Sequence, residues 1–170
     1  MTRPVEFAQF LLECLRSEIQ AGPNPIADQY ICLRLGEIVN PSLGTLTDEC
    51  CTGLAWVRVA GNIPLADPDD PNGNCLVTAR RLTLEMGTAR CIPTGTTQAP
   101  TTCDEWTAAA LKMDADAQAM EDALCCFTAL MNDSFGEPRM VPGEYEPFGP
   151  DANCIRGTMT VTIDYDCGCP

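Results

Sequence analysis

Twelve cysteines, 24 aspartates and glutamates and no histidine decide what chemistry is open to this chain. Without imidazole there is no Ser-His or Cys-His nucleophile pair, no histidine acid or base near neutral pH, and no histidine-ligated zinc or haem. What remains is sulfur and carboxylate. Cys14, Cys32, Cys50, Cys51, Cys75, Cys91, Cys103, Cys125, Cys126, Cys154, Cys167 and Cys169 run the whole length of the chain, the distribution of a framework more than of one site. Zinc and iron-sulfur sites usually show paired Cys-x-x-Cys knuckles. This sequence has none; it has the vicinal pairs Cys50-Cys51 and Cys125-Cys126 and a Cys-x-Cys at Cys167 and Cys169. A four-thiolate zinc site assembled from distant elements, buried free thiols and late-forming disulfides all stay open, since twelve cysteines allow roughly ten thousand pairings.

Carboxylate catalysis needs two acids in different environments, one of them buried. The acids here read as loop residues or as the polar face of a helix, carrying Asp104, Asp114, Asp116, Glu121 and Asp122. The expectation is a protein with no catalytic residues, no bound cofactor and no metal. The loop Asp67, Asp69, Asp70, Asn72, Asn74 invites calcium. With Gly73 as the loop glycine, however, the first ligand position falls on Pro68 and the twelfth on Ala79, where a bidentate glutamate is required. It reads as a solvated turn. Asn132-Asp133-Ser134 is a glycosylation acceptor only in a secretory protein.

The formal charge of −14 and a pI near 4.1 argue against gripping nucleic acid through its phosphates. The same charge suits a wall that lets a polyanion slide past, and also suits simple solubility. No run approaches the roughly 18 to 20 apolar residues of a membrane helix, and no membrane partner is expected. Glu6, Gln9 and Glu13 interrupt the apolar residues from Val5 to Leu15 at helical spacing, which reads against a secretion signal. Synthesis in a reducing cytosol follows as the expectation, with thiols kept reduced until the protein leaves the cell.

The elements that must position these groups follow from periodicity. Residues 4–20 form an amphipathic helix through Phe7, Phe10, Leu11, Cys14, Leu15 and Ile19, opened by Pro4 and stopped by Gly22-Pro23. Strands are predicted at 29–36, 53–60 and 76–92; the second has no strongly polar face, with Leu54, Trp56 and Arg58 on one side and Ala55, Val57 and Val59 on the other, and Gly87 in the third suggests a bulge. Thr102 and Glu105 make a capping box for a long helix whose seam is Trp106, Ala109, Ala110, Met113, Ala117, Met120, Leu124, Phe127 and Met131. Cys125 lies off that seam and Cys126 borders it, both as small hydrophobes. Residues 133–153 read as irregular, with four prolines, and Thr158–Asp166 as a strand with Met159, Val161, Ile163 and Tyr165 inward. The fold expected over 1–170 is one α+β domain of order α-β-β-β-α-β: a mainly antiparallel sheet of about four strands with two helices on one face.

Elements in this order, carried by RPVEFAQFLLECLRSEI, CCTGLAWVRVAG, ALCCFTALM and GTMTVTIDYDCGC, resemble the tail terminator proteins of long-tailed bacteriophages. The cysteine-rich style resembles the versions in phages of actinobacteria. The resemblance implies a virion protein, assembled in the host cytoplasm, that forms a hexameric ring on the last ring of the major tail tube protein. The ring would stop tube polymerisation and dock on the head-completion or stopper protein of the connector, with DNA passing through its lumen unbound. Its contacts would be heterologous. Two segments are the expected contact loops: 61–75, with Asp67, Asp69, Asp70 and Asn72, and 133–153, with Glu137, Arg139, Glu144, Tyr145 and Phe148, which is too long for an idle connection. The alternatives are another neck component, such as a stopper or tail-completion protein, and a secreted cysteine-rich binding protein.

Overall fold

The computed structural model describes residues 4–34, 52–65, 79–135, 138–151 and 154–166. Helix α1 spans Pro4–Ala21 and buries Phe7, Ala8, Leu11, Leu12, Cys14, Leu15 and Ile19: the predicted stripe gains Ala8 and Leu12, and its Phe10 is only half-buried. It ends where the Gly22 amide donates to the Glu18 carbonyl at 3.0 Å. A 3-10 turn at Asp28–Tyr30 leads into strand β1, Ile31–Leu33. Strands β2 (Leu54–Leu65) and β3 (Ala79–Cys91) follow, then helix α2 (Cys103–Phe135) and strands β4 (Arg139–Asp151) and β5 (Cys154–Asp166).

Among the described residues the sheet therefore has five strands, not about four, in the order β1-β2-β3-β5-β4. It is mixed: β1 lies parallel to β2, and the other pairings are antiparallel. The largest departure from expectation is β4, which occupies the stretch read as irregular. Its prolines and glycines erase the period-2 signal, and the chain accommodates them on an edge strand with register breaks between Pro142 and Tyr145 and between Phe148 and Asp151. Gly87 is also corrected: no bulge lies there, since Trp56↔Gly87 and Gly87↔Thr158 are in continuous register, and the break in β2 falls between Val59 and Gly61. Gly87 is needed because a Cβ would stand 2.5 Å from the Trp56 indole that covers it.

The two helices share one face of the sheet. Phe7, Leu11 and Leu15 from α1 and Met120, Phe127 and Met131 from α2 pack on Ala55, Val57, Leu82, Leu84, Met86, Met159, Val161 and Ile163. On the opposite face Leu54, Trp56, Ala89 and Cys154 form a smaller buried cluster, which explains why β2 is apolar on both sides. The Thr102–Glu105 box opens α2 as expected, the Thr102 amide donating to the Glu105 carboxylate at 2.8 Å and the Glu105 amide to the Thr102 hydroxyl at 3.3 Å. Trp106, however, is 44% exposed, and residues 102–108 are all open to solvent. The first turns of α2 extend beyond the core, so seam spacing there has nothing to pack against.

Two cross-links hold α2 in place. Cys14 of α1 and Cys126 of α2 form a disulfide with Cα atoms 5.8 Å apart, joining residues 112 apart in sequence. Arg90 of β3 donates Nε to Asp116 Oδ2 at 2.8 Å and Nη2 to Asp116 Oδ1 at 2.7 Å, and Nη2 also to the Asn24 carbonyl at 2.7 Å. Asp116 is only 2% exposed, which corrects its assignment to the polar face of α2. Cys91 and Cys154 are in disulfides too, while Cys32, Cys103 and Cys125 are free thiols.

Two stability predictions follow from these cross-links. Asp116→Ala leaves a buried guanidinium without its counter-charge and is expected to cost about 3–5 kcal/mol in urea unfolding. An equal loss for Asp164→Ala, whose partner Arg81 is far more exposed, would show that burial is not the cause. Closing a loop this long restricts the unfolded chain by about 4–5 kcal/mol in the chain-entropy account. Reductant should therefore lower the unfolding midpoint while the transition stays cooperative, because the core persists. Unfolding by reductant alone at room temperature would show that sulfur, not the core, holds the fold.

Candidate interface

Four of the residues expected at contacts, Arg139, Glu144, Tyr145 and Phe148, lie on β4. They are strand residues, not loop residues, and β4 is an outer strand of the sheet, paired among the described residues only with β5. Asp67, Asp69, Asp70, Asn72 and Glu137 lie outside the described residues. The strand's alternation sends its side chains to two different surfaces.

On the helix side, α2 and β4 diverge and leave an open groove of about 890 Å³. Leu124, Thr128 and Ala129 of α2 form one wall, Met140, Pro142 and Tyr145 of β4 the other, and Met159 and Val161 of β5 the floor. Tyr145 lies against Gly157, where any Cβ would overlap its ring, so that glycine makes room for the aromatic. The Tyr145 hydroxyl is buried and has no hydrogen-bond partner among the described residues. Burial, reinforced by the negative charges of Asp116 and Asp114, pushes its phenol up to about 12. Cys125 opens onto the groove as a free thiol.

On the far side of the sheet, Arg58 and Glu85 face each other across β2 and β3 in direct register. Arg58 donates Nε to Glu85 Oε1 at 2.8 Å and Nη2 to Oε2 at 2.6 Å, a bidentate fork in a setting only about a tenth exposed. Arg156 of β5 stands with its guanidinium carbon 5.1 Å from the centre of the Phe148 ring. Glu144 and Glu146 complete a shallow cleft of about 240 Å³ over Trp56. Further along, Arg81 grips Asp164 at 2.7 and 2.8 Å and, with help from Arg139, holds that carboxyl below the usual carboxylate range. Among the described residues Arg58, Arg81 and Arg156 of this face are matched to acids or to a ring. Among the described residues no group of three or more cysteines and acids could hold a metal ion, and no helix is long and apolar enough to cross a membrane.

Sequence reasoning placed part of one groove wall in the right segment and missed the other. Leu124 was assigned to the core seam, yet it is only half-buried because β4 stands away from it. The available signal was the length of 139–151, long enough for a strand that must lie beside β5. No protein-family model matches the chain, and no curated protein matches it.

Tyr145 supplies a pH test. A phenol raised from 10.0 to about 12 by folding favours the neutral form in the native state. Its contribution is intact below pH 10 and is lost as pH rises through about 12. Tyr145→Phe should abolish the slowest-titrating phenolate absorbance and flatten the loss of stability between those values. At neutral pH it should change stability by no more than about 1 kcal/mol. An unchanged alkaline profile would mean that the hydroxyl is not sequestered.

Proposed function

We propose that this protein is a structural virion component, the tail terminator of a long-tailed phage. It forms a closed ring, a hexamer, on the head-proximal end of the tail tube. There it stops polymerisation of the major tail tube protein and joins the tail to the head-completion or stopper protein, and DNA passes through the lumen without being bound. The observation that carries the reading is where the resembling segments fall. The described part of RPVEFAQFLLECLRSEI lies in α1, that of CCTGLAWVRVAG leads into the buried half of β2, ALCCFTALM lies in the packed end of α2, and the described part of GTMTVTIDYDCGC lies in β5. The resemblance thus lies in the elements that build the core and in their order, not in a surface decoration.

Two physical features support it. The fold carries its helices on one face and ends in β4 on one side and a three-residue β1 on the other, unlike surfaces of the kind a heterologous ring joins. An acidic subunit also suits a channel for a polyanion, because like charge keeps the phosphate backbone from adhering. A stopper or tail-completion protein of the same neck is the near alternative. The disulfides of Cys14, Cys126, Cys91 and Cys154 favour a second reading, a secreted cysteine-rich binding protein, since such bonds persist in oxidising compartments.

Native mass measurement separates them. The terminator reading expects a closed ring of about six 18.3 kDa subunits that survives reductant and blocks elongation of purified tube protein. A monomer under reducing conditions, inert towards tube protein, sinks it. A monomer that needs its disulfides to stay folded supports the secreted protein instead.

A further inference from the structure

The groove between α2 and β4 goes beyond a ring contact. We infer that it is the docking site for an amphipathic helix of another protein, one that presents an apolar stripe with a basic residue on each side.

Its floor and walls supply the apolar half of the match: Leu124, Met140, Tyr145, Met159 and Val161 are partly or fully buried, yet all border the open space. Its rims supply the charge. Among the described residues the charged ones lining it are Glu121 on α2 and Glu144 on the edge strand β4, both exposed, Glu144 standing at the sheet edge where it borders this groove and the cleft on the other face alike. Facing acids across an apolar trough recognise a segment with cations flanking its hydrophobic face, and charge of the same sign on both rims rejects an acidic one. Size agrees. A helix about 10 Å across fills roughly 80 Å³ per Å of its axis, so a groove of about 890 Å³ takes close to two turns.

The other occupants fit less well. An extended peptide pairing with β4 would need amide donors along its free edge, and Pro142 and Pro147 have none. A second copy of this chain carries −14 and would bring acids to acidic rims. A helix laid in the trough needs nothing from the strand edge, only apolar contact and two ion pairs.

The test uses the full chain and a labelled synthetic helix of about 14 residues, leucine and alanine on one face with arginines flanking it, beside a scrambled peptide of the same composition. Fluorescence anisotropy should show the amphipathic peptide binding at least about tenfold more tightly than the scramble. Methyl signals of Leu124 and Met140 should shift on binding and, in the free protein, should broaden with a soluble paramagnetic agent. The double variant Glu121→Lys/Glu144→Lys, changed only at exposed positions, should keep the unfolding midpoint and lose about tenfold or more in affinity. Equal binding of the scramble would overturn the inference, because attraction would then be net charge alone. Unaltered affinity in the double variant, methyl shifts confined to another surface, or methyls already shielded in the free protein would each overturn it too, the last because the groove is then filled by this chain or its copy. Peptide binding and its dependence on Glu121 and Glu144 are read on ring or monomer alike, so failure of this inference is distinguishable from failure of the ring.

Discussion

The buried ion pair between Arg90 and Asp116 is the constraint around which the helical layer is arranged. Removing two charges from water costs several kcal/mol each, and only close, multiply bonded geometry offsets it. Here both carboxylate oxygens are engaged and the guanidinium reaches a third acceptor, the Asn24 carbonyl beyond the end of α1. One side chain thus ties β3, α2 and the α1–β1 connection together. A contact satisfied in one arrangement and costly in any other sets the height and roll of α2 over the sheet. Ten residues further along the same helix, about 15 Å at 1.5 Å per residue, the Cys14–Cys126 bond fixes a second point against α1.

Two fixed points determine the helix axis, and the rest of the surface follows from it. Drawn towards α1 and β3, α2 covers Met159 and Val161 but stands off from β4, which keeps its own pairing with β5. The separation is the groove. The same axis carries the first turns of α2 past the core, so Trp106 and Leu111 remain exposed although both belong to a well-capped helix. Exposed apolar side chains occur at the start of α2, on β2 and on β4, and on the far face of the sheet cross-strand ion pairs join β2 to β3 and β3 to β5.

Much of this was readable in the sequence, and the failures share a cause. Helix α1, the alternation of β3 and the inward Met159, Val161 and Ile163 all emerge from period alone, because in those segments residue type and position agree. Asp116 is a case where they disagree. It lies three residues after Met113 and four before Met120, squarely on the buried face, but its type argued for solvent until Arg90, 26 residues earlier, supplied the counter-charge. Trp106 is the converse, an apolar residue at seam spacing where the core has ended. Strand β4 was hidden because prolines and glycines signal irregular chain in isolation, and only its place beyond β5 makes them tolerable. Cys14 reads as part of its helix's apolar stripe and Cys126 as bordering the seam of the other, and their bond needed the two helices to be side by side.

Charge connects the interior to the proposed role. Of the nine arginines, Arg16, Arg58, Arg81 and Arg90 are paired with acids, Arg80 donates to Asn62 and Arg156 stacks on Phe148. Each internal pair removes one positive and one negative charge from what a partner meets, so the net −14 is borne by a surface poorer in cations than composition suggests. Such subunits repel one another at long range, and any ring they close must rest on apolar contacts that outweigh the repulsion. In the proposed ring that charge would be repeated by each subunit around the channel, which biases the potential there towards negative. Under the two proposals one property would serve both ends: a single excess of carboxylate would keep a polyanion off the channel wall and would draw a cation-flanked helix to the groove.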